Sequence, residues 1–163
     1  MKAFVTLGLD RKPFTRLLEL VDEAVDRNLL SRDSLIQRGH TPFSTSNFRV
    51  VDFLPFTEML QAVKEADLVI THAGVGSVLL CLNAGRIPLI MPREGTRGEH
   101  VDNHQVEFAE VMASHGKARA AFNDKDFFAY LDHAGEWCNQ SSVSDDLSLE
   151  PELVKSLKVL INR

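Results

Sequence analysis

The sequence predicts an α/β fold in which helices cover both faces of a mainly parallel β-sheet. Short apolar runs alternate with amphipathic stretches along most of the chain, and glycine turns connect several of them. Strands that alternate with helices in this way form right-handed β-α-β units within one parallel sheet. With 163 residues, of which 44% are hydrophobic, the chain fits a single domain with a substantial core.

Four strands and two helices are predicted in the first half of the chain. The strands are expected at residues 3–7, 34–37, 48–53 and 68–71. The first helix shows the i, i+3, i+4, i+7 apolar spacing of a helix packed on a sheet. Its apolar face consists of Phe14, Leu17, Leu18, Val21 and Val25. A second, short helix carries Met59, Ala62, Val63 and Ala66.

Three helices and two strands are predicted in the second half. The helices are expected from Gly76 to near Gly85, from about residue 106 to near Gly116, and over 124–131. The strands are expected over 88–91 and, at the sheet edge, over 117–120. The triplet Asp124-Lys125-Asp126 is interpreted as the start of the last helix rather than as a metal–nucleotide D-x-D motif.

The tail differs from the rest of the chain. Residues 1–138 are predicted to form the folded domain, and residues 139–163 a linker followed by an amphipathic helix. The linker is rich in serine and aspartate, and Pro151 then stands at a helix start. The apolar stripe of this helix consists of Leu153, Val154, Leu157, Leu160 and Ile161. Such a stripe either packs on its own domain or docks on a partner.

Composition narrows the functional class. A net charge of −5 disfavours nucleic acid as a partner, because nucleic-acid binding usually requires a basic face. No run approaches the ~20 apolar residues of a membrane-spanning helix, and the first ten residues predict an opening strand rather than a signal peptide. Cys81 and Cys138 lack metal-ligand spacing, which favours a reducing, cytoplasmic setting without a disulfide.

Ligands of parallel α/β sheets bind at the carboxyl ends of the strands, near the point where the strand order reverses. Here Gly8, the residues after Phe53, residues 72–77 and residues 92–105 all follow predicted strands. In the turn at 73–77, glycines let backbone N–H groups face a ligand, and the following helix adds its positive end. The turn lacks the third glycine of G-x-G-x-x-G and is not a P-loop. The residues alone leave open a phosphate site or a purely steric strand–helix connection.

A second polar cluster lies at residues 98–105. His100 and His104 stand four residues apart and, with Glu99 or Asp102, would suit a metal. Alternatively, the segment is a solvated helix start, or a site that binds sugar hydroxyls and phosphate oxygens. Asp10, after the first strand, either caps the first helix or faces the ligand.

Taken together, the two clusters make the chain similar to a known family. It resembles the carboxyl-terminal half of GT-B glycosyltransferases of family 28. Within that family it is most similar to free-standing half-enzymes of dolichol-linked N-acetylglucosamine transfer and of bacterial exopolysaccharide synthesis. The most specific matches are ADLVITHAGVGSV (66–78), AGRIPLIMPR (84–93) and GEHVDNHQVEFA (98–109), and the resemblance covers residues 2–116.

The resemblance implies a single Rossmann-like domain, half of a GT-B fold, that binds a UDP-sugar. The diphosphate would be surrounded by Gly8, Gly74, Gly76 and Ser77, with His72 at the strand end. The uracil would lie against the backbone at Phe53 and Leu54. The sugar or diphosphate would meet Glu99, His100, Asp102, His104 and Gln105, with Glu99, His104 and Gln105 as the catalytic set. The implied chemistry is inverting transfer without a metal or any cofactor, since backbone amides and a helix dipole stabilise the leaving UDP.

The chain departs from the family pattern at two positions near the donor. Leu80 stands where the family often has a glutamate that contacts the ribose hydroxyls, and Gly8-Leu9 replaces the usual Gly-Thr. Leucine accepts no hydrogen bond, so ribose recognition would need another group.

The resemblance also implies a partner, because GT-B enzymes close two such domains over the reaction. A membrane-anchored subunit would bind the lipid-linked glycan acceptor and hold this chain at the cytoplasmic face of a membrane, with residues 151–161 as the docking helix. One alternative is a non-catalytic accessory subunit of a glycosyltransferase complex. Another is a self-sufficient binding module or enzyme for a different nucleotide.

Overall fold

A fully parallel β-sheet forms the centre of the computed structural model, which describes residues 1–138 and, beyond them, 151, 153–155 and 158. Within these residues, six strands pair in the order β3-β2-β1-β4-β5-β6. The strands are β1 Ala3–Thr6, β2 Leu35–Gln37, β3 Arg49–Val51, β4 Leu68–His72, β5 Leu89–Met91 and β6 Arg119–Ala120. The predicted α/β fold is therefore confirmed, with strands one to three residues shorter than expected at most positions and β4 one residue longer.

Helices connect the strands. They are α1 Thr15–Asp26, α2 Phe56–Glu65, α3 Val75–Asn83, α4 His104–Ser114, α5 Asp124–Asp132 and α6 Ala134–Trp137, with a 3₁₀ turn at Gly95–Arg97. The last helix and the 3₁₀ turn were not predicted, because three or four residues are too few to show a helical period. At the start of α5, Asn123 accepts a hydrogen bond from the backbone N–H of Asp126 at 2.9 Å. The helix-start interpretation of the aspartate triplet is confirmed, although the capping residue is Asn123.

The strand order reverses beside β1. From β1 the chain adds β2 and β3 on one side, then crosses over to place β4, β5 and β6 on the other. Val5 consequently pairs with Ile36 of β2 and with Ile70 of β4. The crevice of this fold opens where the order reverses, outside the carboxyl ends of β1 and β4.

Apolar clusters cover both faces of the sheet. On β1, Val5 belongs to a cluster with α1 and α5, whereas its neighbour Phe4 packs against α2 and α3, because successive strand residues point to opposite faces. A further cluster joins β5 and β6 to α4 through Ile90 and Phe108. These clusters fix the positions from which the rim loops start.

Among the described residues of the tail, Leu153 joins the core. Leu153 is fully buried in the cluster of α4 and β6, so this residue packs on its own domain. Leu157, Leu160 and Ile161 of the predicted stripe lie outside the described residues. Cys81 and Cys138 are both buried and free. In the described part of the chain, no helix combines the length and apolar character needed to cross a bilayer.

Candidate functional site

The crevice outside β1 and β4 is shaped by glycines packed around one imidazole ring. Gly8 has a positive φ of 72°, and a Cβ atom placed on it would lie 2.5 Å from Cε1 of His72. A Cβ atom on Gly74 would lie 2.1 Å from Nε2 of the same ring. Only glycine fits at either position, so the sequence brings the two turns and the histidine together as one unit.

His72 is a neutral side chain at pH 7. It is buried at the end of β4, and its Nδ1 lies 3.2 Å from Oγ1 of Thr71, which itself donates to the carbonyl of Thr6 at 2.9 Å. Burial, and then the positive charge of Arg93, lowers the pKa of His72 to about 4. A neutral imidazole offers one donor and one acceptor nitrogen. His72 can therefore bond to a ligand without adding a charge to the crevice.

Helix α3 begins directly beside His72. Gly74 is its extended N-cap, without a side-chain hydrogen bond, and the first backbone bond back to it comes from Val78 at 3.1 Å. The N–H groups at 75–77 precede that bond, and N–H groups at such a position, together with the helix dipole, are suited to bind an anion. A Cβ atom on Gly76 would meet nothing within 4 Å, so the space before this turn is open.

The loops after β2 and β3 adjoin the same crevice. A Cβ atom on Gly39, which has a φ of 59°, would lie 2.7 Å from the carbonyl oxygen of Gly8 and 3.9 Å from the Phe53 ring. Phe53 is 44% exposed and meets His40 edge-to-face at 5.0 Å. The N–H of Leu54 is already bound by the Oε1 atom of Gln37 at 3.2 Å. The exposed Phe53 ring is therefore the group in these two loops that a ligand could contact, whereas the N–H of Leu54 already has a partner.

The loop after β5 is anchored by a bidentate ion pair. Both oxygens of Glu99 accept hydrogen bonds from Arg16 of α1 at 2.9 Å, and one also accepts from the N–H of Glu94 at 3.0 Å. Glu99 is buried, with 8% of its surface exposed. In this geometry both carboxylate oxygens are bound by other groups of the protein, and these bonds orient the loop.

The two histidines of the 98–105 cluster converge on Asp102. Its Oδ1 atom accepts from the N–H of His104 at 3.0 Å and lies 2.9 Å from Nδ1 of His100. The hydrogen bond from His104, and then that from His100, lowers the pKa of Asp102. The other ring nitrogen of His100 lies 3.5 Å from Asp10. His100 thereby connects the loop after β5 with the loop after β1.

These contacts bear on two alternatives from the sequence. Asp10 does not cap α1, because that helix begins at Thr15 and Asp10 instead accepts from the N–H of Lys12 at 2.8 Å. His100 and His104 do not share a helix, since α4 begins at His104. Across the residues the structure describes, no three His, Cys, Asp or Glu side chains are grouped to hold a metal ion.

Residues 12–134, well over half of the chain, match the glycosyltransferase family 28 C-terminal domain. The chain belongs to this family. The match includes the turn at 73–77 and the cluster at 98–105 but starts after Gly8.

Family 28 relatives with similar sequences carry the name UDP-N-acetylglucosamine transferase subunit ALG13. The protein from Yarrowia lipolytica is 31% identical over 123 residues, which cover 69% of this chain and 60% of that protein. The human protein is 33% identical over 75 residues, which cover 46% of this chain and 6% of that protein. The chain thus spans at most about 60% of the length of these relatives.

Solved glycosyltransferase structures share the fold. The glycotransferase of kitacinnamycin superposes with a TM-score of 0.57 at 19% identity, covering 99% of this chain and 38% of that one. The glycosyltransferase SnogD from Streptomyces nogalater gives a TM-score of 0.52 at 18% identity, covering 99% and 44%. The predicted Rossmann-like half of a GT-B fold is therefore confirmed.

Of the family 28 positions singled out in the sequence, Gly8, His72 and Gly74 are in close contact, and Gly76 and Ser77 lie in the first turn of α3. In the second cluster, the side chain of His104 is 61% exposed, against 37% for Asp102 and 22% for His100. Gln105 accepts a hydrogen bond from the N–H of Arg93 at 3.1 Å. The side chains of this cluster are thus mostly engaged with the protein itself.

Leu80 does not face the crevice mouth. It is buried, with 8% of its surface exposed, in the apolar cluster of α2 and α3 beside Val63 and Val69. It supplies no polar group. By contrast, Leu9, Val75 and Val101 are exposed apolar residues around the mouth, at 75%, 45% and 78%.

Three residues that shape the site were missed in the sequence. They are Arg93, Arg16 and Gly39. Arg93 lies two residues after β5, and a basic residue near a strand end is usually solvent-exposed, so no local pattern indicated its burial. Gly39 stands at the carboxyl end of β2, which is the one signal that would have found it.

Proposed function

We propose that this chain is the donor-binding, catalytic subunit of a two-component, UDP-sugar-dependent inverting glycosyltransferase that acts on a lipid-linked glycan. The observation that carries the proposal is the glycine crevice at the strand-order reversal, with the uncapped start of α3 beside a neutral His72. Membership of family 28 and the names of the ALG13 relatives support a hexosyl donor, with UDP-N-acetylglucosamine as the first candidate.

In this proposal the diphosphate binds between Gly8 and the turn at 74–77. Negative charge develops on the leaving UDP as the acceptor hydroxyl attacks the anomeric carbon from the opposite face. The N–H groups at 75–77 and the positive end of α3 stabilise that charge without a metal ion. Because the Thr71 hydroxyl donates to the carbonyl of Thr6, Nδ1 of the neutral His72 donates to that hydroxyl, and Nε2 is left to accept a hydrogen bond from a ligand hydroxyl.

The sugar lies, in the same proposal, against the cluster at 98–105. His104 has the exposure to reach the sugar, and the amide of Gln105 lies at the start of the same helix. Glu99, His100 and Asp102 hold the loop in place through the bonds described above. The general base that activates the acceptor is assigned to the partner subunit, together with the acceptor site.

We place the protein at the cytoplasmic face of a membrane, held there by a membrane-anchored, acceptor-binding subunit. The word subunit in the names of the ALG13 relatives supports a partner. The exposed Leu9, Val75 and Val101 surround the mouth that such a subunit would close. Docking through the C-terminal stripe has to leave Leu153 in the core of this domain, where it is fully buried.

The alternative is a non-catalytic accessory subunit that keeps the fold but does not bind the donor productively. The burial of Leu80 favours it, because no polar group stands at the position where the family resemblance places a ribose partner. Donor binding decides between the two functions.

The test is calorimetric titration of the chain, alone and with its partner subunit, with UDP and UDP-N-acetylglucosamine. Gly76→Ala puts a methyl group into open space before α3, so it should leave the fold unchanged and weaken UDP binding about tenfold or more. Gly135→Ala is the matched control, because its Cβ also meets nothing within 4 Å but lies in α6. It should leave binding unchanged.

Two results would count against the proposal. Absence of UDP binding in the wild type, with and without the partner, rules out the donor-binding function and favours the accessory one. Unchanged UDP affinity in Gly76→Ala shows that the ligand binds elsewhere.

A further inference from the structure

Arg93 is a buried cation beneath the rim. Its side chain is 1% exposed, and the guanidinium lies 4.8 Å from the centroid of the Phe14 ring. One terminal nitrogen donates to the carbonyls of Lys12 at 2.8 Å and Glu99 at 3.2 Å. The other donates to the carbonyl of Leu7 at 3.0 Å. A single side chain therefore binds backbone from two separate loops.

These loops form the two sides of the candidate site. Leu7 and Lys12 belong to the segment that carries Gly8, and Glu99 belongs to the loop that leads to His104. The backbone N–H of Arg93 also donates to Gln105 at the start of α4. Loss of the guanidinium would leave all three carbonyls without this donor at once.

The charge of Arg93 is not neutralised by direct contact. Among the described residues, no carboxylate oxygen lies within 4 Å of its guanidinium, whose Nε has no hydrogen-bond partner. Arg16, on the neighbouring helix, instead contacts the carboxylates of Glu94 and Glu99. Asp10 and Glu99 act on Arg93 only over longer distances. A buried cation in this state is stabilised by any anion that binds nearby.

The crevice is within range of this charge. The positive charge of Arg93 is the second cause, after burial, of the lowered pKa of His72. His72 touches the positions of both crevice glycines. Arg93 also donates to the carbonyl of Leu7, the residue before Gly8, so its guanidinium lies directly behind the crevice, where the charge of Asp10 opposes it only in part.

We propose that Arg93 is a positioning residue for an anionic ligand: it joins the loops after β1 and β5 and supplies an unneutralised positive charge behind the crevice of Gly8 and His72. The identification of the anion as the diphosphate of a nucleotide sugar rests on the proposed function. Arg93 acts through the loops and through its field, because its guanidinium is buried under the carbonyls that it binds.

The first experiment compares UDP with uridine, which lacks the anion, as calorimetric ligands. Arg93→Met should lower the affinity for UDP about tenfold or more and that for uridine less than about threefold. Arg93→Lys keeps the charge and should retain most of the preference for UDP. Arg86→Met is the control: it removes the same charge at the opposite edge, where Arg86 donates to the carbonyl of Lys64 at 2.7 Å. It should change neither affinity.

The second experiment needs no ligand. Hydrogen exchange of the full chain should show faster exchange in Arg93→Met at residues 8–14 and 98–103, while β1 and β4 stay protected. If Arg93→Met does not fold, Arg93→Lys is measured instead. Lysine lacks the two terminal nitrogens with which the guanidinium binds both loops, so exchange in both loops should also become faster.

The outcomes separate the two proposals. Absence of UDP binding in the wild type overturns the proposed function, and hydrogen exchange then decides whether Arg93 joins the loops. Equal losses for UDP and uridine overturn the role of the charge. Unchanged exchange in both loops overturns the positioning role.

Discussion

The crevice at Gly8 and Gly74 and the loop at residues 98–105 share one rim but are built in opposite ways. Absent side chains give the crevice its shape, and its open polar groups are backbone N–H groups at the start of α3. In the loop, side chains of Glu99, Asp102 and Gln105 bind other parts of the protein. A ligand in the crevice would bind N–H groups that have no partner within the helix. A ligand at the loop would meet side chains that already have hydrogen-bond partners.

The largest effect is expected in the crevice. Gly74→Ala would place a methyl group 2.1 Å from Nε2 of His72, which is buried and has little room to move. Overpacking of this kind should reduce the free energy of unfolding by about 3 kcal/mol or more. Urea denaturation measures the loss. Gly76→Ala, two residues away in open space, should change stability by less than about 0.5 kcal/mol, and equal losses in both variants would contradict the glycine packing described above.

The next effect is a sensitivity to acid. His72 has a pKa of about 4 in the folded protein against an ordinary value of 6.5. Between these values the unfolded chain binds a proton that the folded chain does not, so stability falls as the pH drops from 6.5 towards 4. The loss attributable to His72 should be about 2–3 kcal/mol.

Denaturation at pH 7 and pH 4.5 measures this loss. His72→Gln, which cannot titrate, should show a smaller drop between the two values than the wild type. His133→Gln, at a histidine whose side chain is 68% exposed, should keep the drop of the wild type. An identical drop in wild type and His72→Gln would show that other groups cause the acid sensitivity.

The smallest of the three effects concerns the loop. Glu99→Gln removes the charge that Arg16 contacts with two nitrogens, and should destabilise the protein by about 1–2 kcal/mol. Glu23→Gln removes the carboxylate of an exposed pair with Arg27 and should cost less than about 0.5 kcal/mol. Midpoints of urea unfolding compare the two. Equal costs would mean that Glu99 is not the anchor of the loop.

The fold was predictable because its signals are local. Each helix of at least nine residues leaves a helical period in its own stretch of sequence, the strands lie in short apolar runs, and Gly8 and Gly74 mark the turns where the chain passes from strand to helix. The α/β class and the order of elements follow from such signals. The glycine crevice was also indicated, because its residues follow strands whose ends must meet.

The internal bonding of the rim was not predictable in the same way. Arg16 and Glu99 are 83 positions apart, and Arg93 binds a carbonyl 86 positions away at Leu7. No spacing rule connects such pairs. Glu99 therefore looked like a ligand contact in the sequence, since a glutamate in a polar loop gives no sign that a helix arginine occupies it.

The burial of Leu153 has a mechanical consequence for any complex that this protein forms. Its cluster includes Ala73 and Val78, which flank the turn that starts α3. A partner that pulled Leu153 out of the domain would leave a cavity in this cluster, at a cost of about 2–5 kcal/mol. The packing of the tail and the stability of the turn that starts α3 are thus thermodynamically linked through one apolar cluster. A partner that bound the tail and displaced Leu153 would also lower the stability of that turn.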